Sequence, residues 1–322
     1  MKFLRFLLFP FSIIYDVVTT IRNFFFNVGI FKQTSFKTPI IVVGNLSVGG
    51  TGKTPQIEYL IRLLKDNFKT AVLSRGYKRK TKGFVLLNNT HSSEDVGDEP
   101  LLLARHGPVW VAAGRDDGAR AACSHGATAI IMDDGHQNPL LEKTISFMVV
   151  DAETGFGNGC VFPAGPLREN LEASLARADA VILMKPAPDF EISEHLTAQL
   201  KGHIVIPAYL SPSGPPPKGK LYAFAGIGRP EKFFNSLRRH GGDVVEEMPY
   251  ADHYKYKNSD IENLFSLASE YKAGLITTEK DYVRLPKGYR KGVTAWPVSV
   301  TFEDELTLRR LLHPVIEQSR NG

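Results

Sequence analysis

The chain has 322 residues, 43% of them hydrophobic and 23% charged, which excludes wholesale disorder and leaves room for about two domains. Its 39 Lys and Arg against 34 Asp and Glu give a net charge of +5, which suits an anionic partner without choosing among a phosphate ligand, nucleic acid and a membrane surface. Cys123 and Cys160 are too few for a disulfide framework and lie away from any His cluster, so a reducing compartment is expected.

Residues 1–36 differ from the rest. They hold nine of the 20 Phe, and their longest uncharged run, Phe6 to Tyr15, is ten residues and contains Pro10. A spanning helix needs about 20 mostly apolar residues, so no transmembrane span is expected. Lys2 and Arg5 precede an apolar stretch as in a signal peptide, but no A-x-A-like cleavage site follows. Phe11, Ile14, Tyr15, Val18, Ile21, Phe25 and Val28 recur at helical spacing, while Asp16, Arg22 and Asn23 fall mostly elsewhere around the axis. With net positive charge and dense aromatics, this predicts an amphipathic helix lying in a membrane interface. The competing expectation is a helix that packs its apolar stripe on the protein's own core.

Thr38 to Leu46 reads as a buried strand. Ser47-Val48-Gly49-Gly50-Thr51-Gly52-Lys53-Thr54 follows, then a helical pattern through Ile57, Leu60, Ile61 and Leu64. Strand, Gly-rich loop, Gly-Lys-Thr and helix is the context of a phosphate-binding P-loop. Glycines let successive backbone N–H groups turn toward phosphate oxygens, and the helix N-terminus adds partial positive charge. Lys53 supplies a point charge to the β- and γ-phosphates of ATP, and Thr54 offers a hydroxyl to magnesium. Ser47 replaces the usual first glycine. Pro55 sits where a helix tolerates a missing N–H.

Short apolar runs then alternate with helical stretches: Thr70–Ser74, Val109–Ala112, Ala127–Met132, Ser146–Val150 and Ala180–Met184. This predicts an α/β fold of P-loop type with a mostly parallel sheet. Asp133 and Asp134 follow a strand at its carboxyl end, where open α/β sheets bind ligands, and are candidate magnesium ligands. Residues 207–220, rich in Pro and Gly, read as a linker. A smaller α/β unit is expected beyond it. Its strands are Leu221–Ala225, Asp243–Glu246 and Gly274–Thr278, and its helices lie near Pro230–Arg239, Ser259–Tyr271 and Phe302–Gln318. The expected division is thus 1–36 helix, 37–206 P-loop domain, 207–220 linker and 221–322 smaller domain.

Several segments together resemble the tetraacyldisaccharide 4'-kinases, the lipid A kinases of Gram-negative bacteria: SVGGTGKTP (47–55), LSRGY (73–77), VGDEP (96–100), DDGHQN (133–138), PAGPLRE (163–169), FAGIGRPEKFF (224–234), DHYKY (252–256) and TTEKDYVRL (277–285). Their order and rough spacing are kept over nearly the whole chain. The resemblance implies transfer of the ATP γ-phosphoryl group to the 4'-hydroxyl of a tetraacyldisaccharide 1-phosphate, at the cytoplasmic face of an inner membrane, by a peripheral enzyme without an obligate protein partner.

By the same resemblance, Asp98 matches the family's catalytic carboxylate and His253 the His that pairs with it. Glu99 is a possible further magnesium contact, and Ser74, Arg75, Arg115 and Gln137 match polar positions near the disaccharide. His136 stands where the family usually has Phe, Asn138 where it usually has His, and Tyr254 where a second His is common. The alternative reading is a membrane-associated P-loop ATPase or nucleotide switch that acts on a protein partner. A decayed, non-catalytic lipid binder is disfavoured by intact Lys53, Thr54, Asp98 and Asp133. Nucleic-acid binding has only the basic charge in its favour, with no basic, aromatic-interleaved motif.

Overall fold

The computed structural model describes residues 2–47, 51–76, 83–88 and 90–320. Helix α1 (Lys2–Asn27) leads to β1 (Ile40–Gly44), α2 (Lys53–Leu64), β2 (Thr70–Ser74), β3 (Phe84–Leu86), α3 (Ser93–Val96), α4 (Asp98–Leu103), β4 (Val109–Ala112), α5 (Arg115–Ser124) and β5 (Ala129–Asp133). There follow β6 (Ile145–Asp151), α6 (Leu171–Leu175), β7 (Ala180–Lys185), α7 (Glu194–Gln199) and β8 (Val205–Pro212). The remainder is β9 (Lys220–Ala225), α8 (Pro230–Arg239), β10 (Asp243–Pro249), α9 (Asn258–Glu270), β11 (Gly274–Thr278), α10 (Glu279–Tyr282), a 3₁₀ turn (Lys287–Gly292), β12 (Val293–Trp296), β13 (Val298–Phe302) and α11 (Glu305–Arg320).

Among the described residues the strands form two sheets. The larger has the order β13-β8-β7-β6-β1-β5-β2-β4-β3, parallel except for an antiparallel strand at each edge. The smaller, β10-β9-β11-β12, is wholly parallel. β1, β5 and β6 are buried along their whole length because helices cover both faces, which is why they read as unbroken β-branched runs. On one face Ile57, Leu60, Ile61 and Leu64 of α2 pack with Ile41, Val43 and Ile131; on the other Ala119 and Ala122 of α5 meet Ile40, Val42 and Ile130. β1 lies between β5 and β6, where the connections diverge to opposite sides, so the crevice of the doubly wound sheet opens at its carboxyl end.

Two expectations need correction. The supposed linker is strand through Pro212: Pro207 cannot donate, but its carbonyl accepts the Glu303 N–H at 2.9 Å. The smaller unit does not run to the C-terminus either. It closes with β12, and β13 then pairs antiparallel with β8 while Leu308, Leu312 and Val315 of α11 join the core of the large sheet. The alternation Val300, Phe302 buries a stripe that the large sheet's open edge needed, and Phe302 packs edge-on against Tyr59 of α2. The small sheet is therefore an excursion from the large one.

Helix α1 turns its apolar stripe outward. Phe11, Ile14 and Val18 are each about 60% exposed and Ile21 47%, while Ser12 and Thr19 are buried. Ser12 Oγ accepts the Ala164 N–H at 2.8 Å, Asn23 donates to Glu169 at 3.3 Å, and Arg22 donates to the Gln137 carbonyl at 3.4 Å. The helix is held to the body by its polar side, and the expectation of an apolar stripe packed on the core does not hold. Exposed Phe162, whose ring meets Tyr15 edge-on at 6.3 Å between centroids, extends the apolar surface beyond the helix. No helix among the described residues is long and apolar enough to cross a membrane.

Candidate active site

The carboxyl end of β1 hands the chain to the Gly-rich loop. Val48, Gly49 and Gly50 lie outside the described residues. Gly52 takes φ 82°, the left-handed conformation glycine adopts without strain, and α2 starts directly after it at Lys53. Lys53 donates to Asn45 Oδ1 at 3.1 Å and stands 3.5 Å from Asp134 Oδ1. Asn45 is fully buried, and its amide nitrogen donates to the Ser47 carbonyl. Lys53 is thus held extended at the N-terminus of a three-turn helix, where free N–H groups and the helix dipole favour anions. The Thr51 hydroxyl is buried without a partner among the described residues.

The two aspartates that end and follow β5 have opposite electrostatics. Asp133 is buried and accepts from Ser74 Oγ at 2.9 Å; burial, reinforced by the charge of Glu99, pushes its carboxyl up to about 6. Burial also works against the ionised form of Asp134, but Lys53 and Arg168 (2.8 Å) prevail and hold its carboxyl below the usual range. Asp134 adopts φ 54°, and its N–H donates to the Val43 carbonyl at 2.9 Å, which turns its side chain toward Lys53. All these donors are oxygens, the kind hard divalent cations select. Among the described residues no three His, Cys, Asp or Glu side chains form a ready-made metal cluster.

The expected disaccharide contacts divide. Arg75 is exposed, and Ser74 is buried on Asp133. The Gln137 side chain donates to the Asn45 carbonyl at 2.9 Å and so braces the lysine's own support. Arg115 departs from expectation. It is 4% exposed, and its two terminal nitrogens donate at 2.8 Å to the carbonyls of Leu73 and Asp133 at the ends of β2 and β5. That guanidinium ties strand ends together and does not face a substrate phosphate.

In the same lobe as Lys53, Asp98 opens α4 directly after Gly97; across the crevice, His253 lies in the loop between β10 and α9. Although 155 residues apart, they meet: His253 Nδ1 is 3.0 Å from Asp98 Oδ2. Burial alone would raise the Asp98 carboxyl, but His253 and Arg284 prevail and hold it below the usual range. Arg284, whose side chain is 4% exposed, donates to the same Asp98 oxygen at 2.7 Å; sequence reasoning assigned it no role, although it lies in the TTEKDYVRL segment. Glu99, the next residue after Asp98, pairs with Lys280 of α10 at 3.2 Å. Asp98 and Glu99 therefore reach the small lobe, while Glu99 also acts on Asp133 beside Lys53. The arrangement can hold a nucleotide triphosphate on one wall and take a proton from an acceptor hydroxyl on the other.

The family model described as "Tetraacyldisaccharide-1-P 4'-kinase" matches residues 4–317. Among curated relatives, the tetraacyldisaccharide 4'-kinase of Maricaulis maris is 49% identical over 284 residues, 86% of this chain and 83% of that one. The one from Caulobacter sp. (strain K31) is 48% identical over 283 residues, 86% and 84% respectively. That of Gluconobacter oxydans is 40% identical over 314 residues, 95% and 92%. The crystal structure of LpxK from Aquifex aeolicus in complex with ATP superposes with a TM-score of 0.81 at 31% identity and covers 97% of this chain and 99% of that one.

Proposed function

This chain belongs to the tetraacyldisaccharide-1-P 4'-kinase family, and from that premise we propose how its residues carry out the transfer. The reaction moves the γ-phosphoryl group of ATP to the 4'-hydroxyl of a tetraacyldisaccharide 1-phosphate. A bond forms between the 4'-oxygen and Pγ, the bond from Pγ to the β,γ-bridging oxygen breaks, and ADP and the 1,4'-bisphosphate leave. The reading rests on one observation above all: Asp98 and His253, from opposite lobes, meet, and Glu99 beside Asp98 acts on the same Asp133 as Lys53.

The residues 47–54 cradle the triphosphate, and Lys53 stabilises charge that develops on the transferred group. The Asp98–His253 pair accepts the proton of the 4'-hydroxyl, a poor nucleophile until that proton is lost. With both lobes in contact across the site, water is kept from competing as acceptor. Magnesium fits the oxygen-only donor set: Asp133, fully buried and crowded by Glu99, gains most from a cation, with Thr54, Asp134 and Glu99 as the remaining candidate ligands. Held by these residues, a divalent cation would offset the negative charge of the phosphates. Exposed Arg75 is the fork best placed for the 1-phosphate of the disaccharide, while Ser74 and Gln137 act behind it, through Asp133 and Asn45.

The acyl chains and the exposed stripe of α1 share one surface, the cytoplasmic face of the inner membrane of a Gram-negative bacterium, on which the enzyme lies peripherally. The test of the proton acceptor is Asp98→Ala assayed with the lipid in detergent. Transfer is expected to fall about 10³-fold while ATP still binds. Unchanged turnover would remove the assignment.

A further inference from the structure

Arg284 is placed to do more than neutralise a buried carboxylate. Its guanidinium directs each nitrogen to a different part of the site: Nε to Asp98 Oδ2 at 2.7 Å, Nη2 to within 3.2 Å of His253 Nδ1, and Nη1 to both the Gly226 carbonyl at 2.7 Å and Asp281 Oδ1 at 3.0 Å. We infer that Arg284 is the positioning residue of the phosphoryl-transfer site, a fixed fork that holds Asp98 and His253 in one mutual orientation across the two lobes. The inference rests on the reading of Asp98 and His253 as the proton-accepting pair.

The fork itself has no freedom. Asp281 is fully buried and accepts from the Gly226 N–H at 3.0 Å, the Tyr256 hydroxyl at 3.0 Å and the Thr278 hydroxyl at 2.7 Å. It is therefore a rigid counter-charge for a guanidinium whose side chain is 4% exposed and whose other donors turn to the site. The Gly226 carbonyl that anchors Nη1 also accepts the His253 N–H at 3.1 Å. That contact matters because His253 has φ 59°, a left-handed backbone that is unfavourable for a non-glycine residue and persists only where surroundings impose it. One carbonyl thus fixes the strained backbone of His253 and the plane of Arg284, and Arg284 in turn reaches Asp98. A Cβ at Gly226 would come within 3.1 Å of the Ala251 carbonyl, Asp281 and Tyr254, tight enough that these neighbours would have to give way by a few tenths of an ångström.

A planar fork with three fixed directions does what an ammonium group cannot, so lysine is not an equivalent replacement. A misplacement of about 1 Å in a reacting constellation costs roughly 10²-fold in rate. The test uses the full chain in detergent micelles with tetraacyldisaccharide 1-phosphate and Mg-ATP. Arg284→Ala is expected to lower kcat about 10²-fold with KM for ATP nearly unchanged, and methylguanidinium in the buffer to restore at least about tenfold of the loss. The same additive should do nothing for Asp98→Ala, and the double variant Asp98→Ala/Arg284→Ala should be no slower than Asp98→Ala alone.

Should Arg284→Ala fail to fold, Arg284→Lys keeps a cation in place and is expected to lose kcat at least about tenfold at unchanged KM for ATP. Near-normal kcat in either variant beside an inactive Asp98→Ala would overturn the role of Arg284, as would losses that multiply in the double variant. Normal turnover in Asp98→Ala and His253→Ala would instead overturn the reading of the pair, and the role of Arg284 with it.

Discussion

Replacing Phe11, Ile14, Val18 and Ile21 of α1 together by Gln tests whether that face meets lipid. These side chains are 61%, 61%, 60% and 47% exposed, so about half of each is available to leave water. Full burial of such a side chain is worth about 1.5–3 kcal/mol, so half-burial of four amounts to about 4 kcal/mol, or about a 10³-fold change in partition. Gln has nearly the helix propensity of the residues it replaces, so the helix itself persists. The helix is also held by Ser12, Arg22 and Asn23, which are untouched. Sedimentation with vesicles of phosphatidylethanolamine and phosphatidylglycerol should show the variant about 10³-fold weaker in membrane association. Thermal unfolding should stay within a degree or two of the parent, since the changed side chains lie on the outward face of the helix, so little is lost (on the order of 0.5 kcal/mol). Vesicle binding close to that of the parent, or a collapse of the unfolding transition, would refute the reasoning.

Other outcomes follow from buried charges. Burial, then the charge of Glu279, pushes the Glu58 carboxyl from 4.5 up to about 7, while His106, 3.7 Å away, is itself held below its usual value by burial, so the contact is not an ion pair at neutral pH. A carboxyl raised in the folded state binds its proton more tightly there than in the unfolded chain, so stability is greatest below pH 4.5 and is lost as pH rises toward 7, by about 3 kcal/mol. In urea titrations Glu58→Gln should lack that loss and be the more stable protein at pH 8; a difference from the parent that stays constant between pH 4.5 and 7 contradicts the assignment. Arg115→Ala removes two buried charge-assisted hydrogen bonds, to the Leu73 and Asp133 carbonyls, and should cost about 3 kcal/mol in the same titration. A loss of lipid affinity with stability intact would return Arg115 to the substrate.

The parts of this molecule legible in sequence are those in which neighbours along the chain share one environment. Ile40–Gly44 is buried on both faces and therefore reads as a continuous β-branched run, and Gly52-Lys53-Thr54 sits where strand gives way to helix. The period of α1 was equally plain, but not which side faced outward, because an apolar stripe suits a core and a membrane alike. β13 escaped because Pro297 interrupts its approach and its partner β8 lies some 90 residues earlier. Arg115 followed by two aspartates has the look of a solvated helix start; only the convergence of β2 and β5 buries it. Arg284 reaches Asp98 over 186 residues, a meeting that no local pattern encodes. Ligands and their supports differ in this respect: the glycines, the lysine and Asn45, eight residues before it, form a local motif, whereas Arg168 and Arg284 act through topology.

Phosphoryl transfer here needs a triphosphate gripped beside Lys53 and an acceptor hydroxyl presented to Asp98 and His253. Its most direct measurement follows label from [γ-³²P]ATP, with and without tetraacyldisaccharide 1-phosphate, in the parent and in Lys53→Ala. Label should enter the lipid at its 4'-oxygen in the parent, fall by about 10³-fold in Lys53→Ala, and scarcely appear as free phosphate when lipid is omitted. Free phosphate released equally with and without lipid, and no labelled lipid, would contradict it.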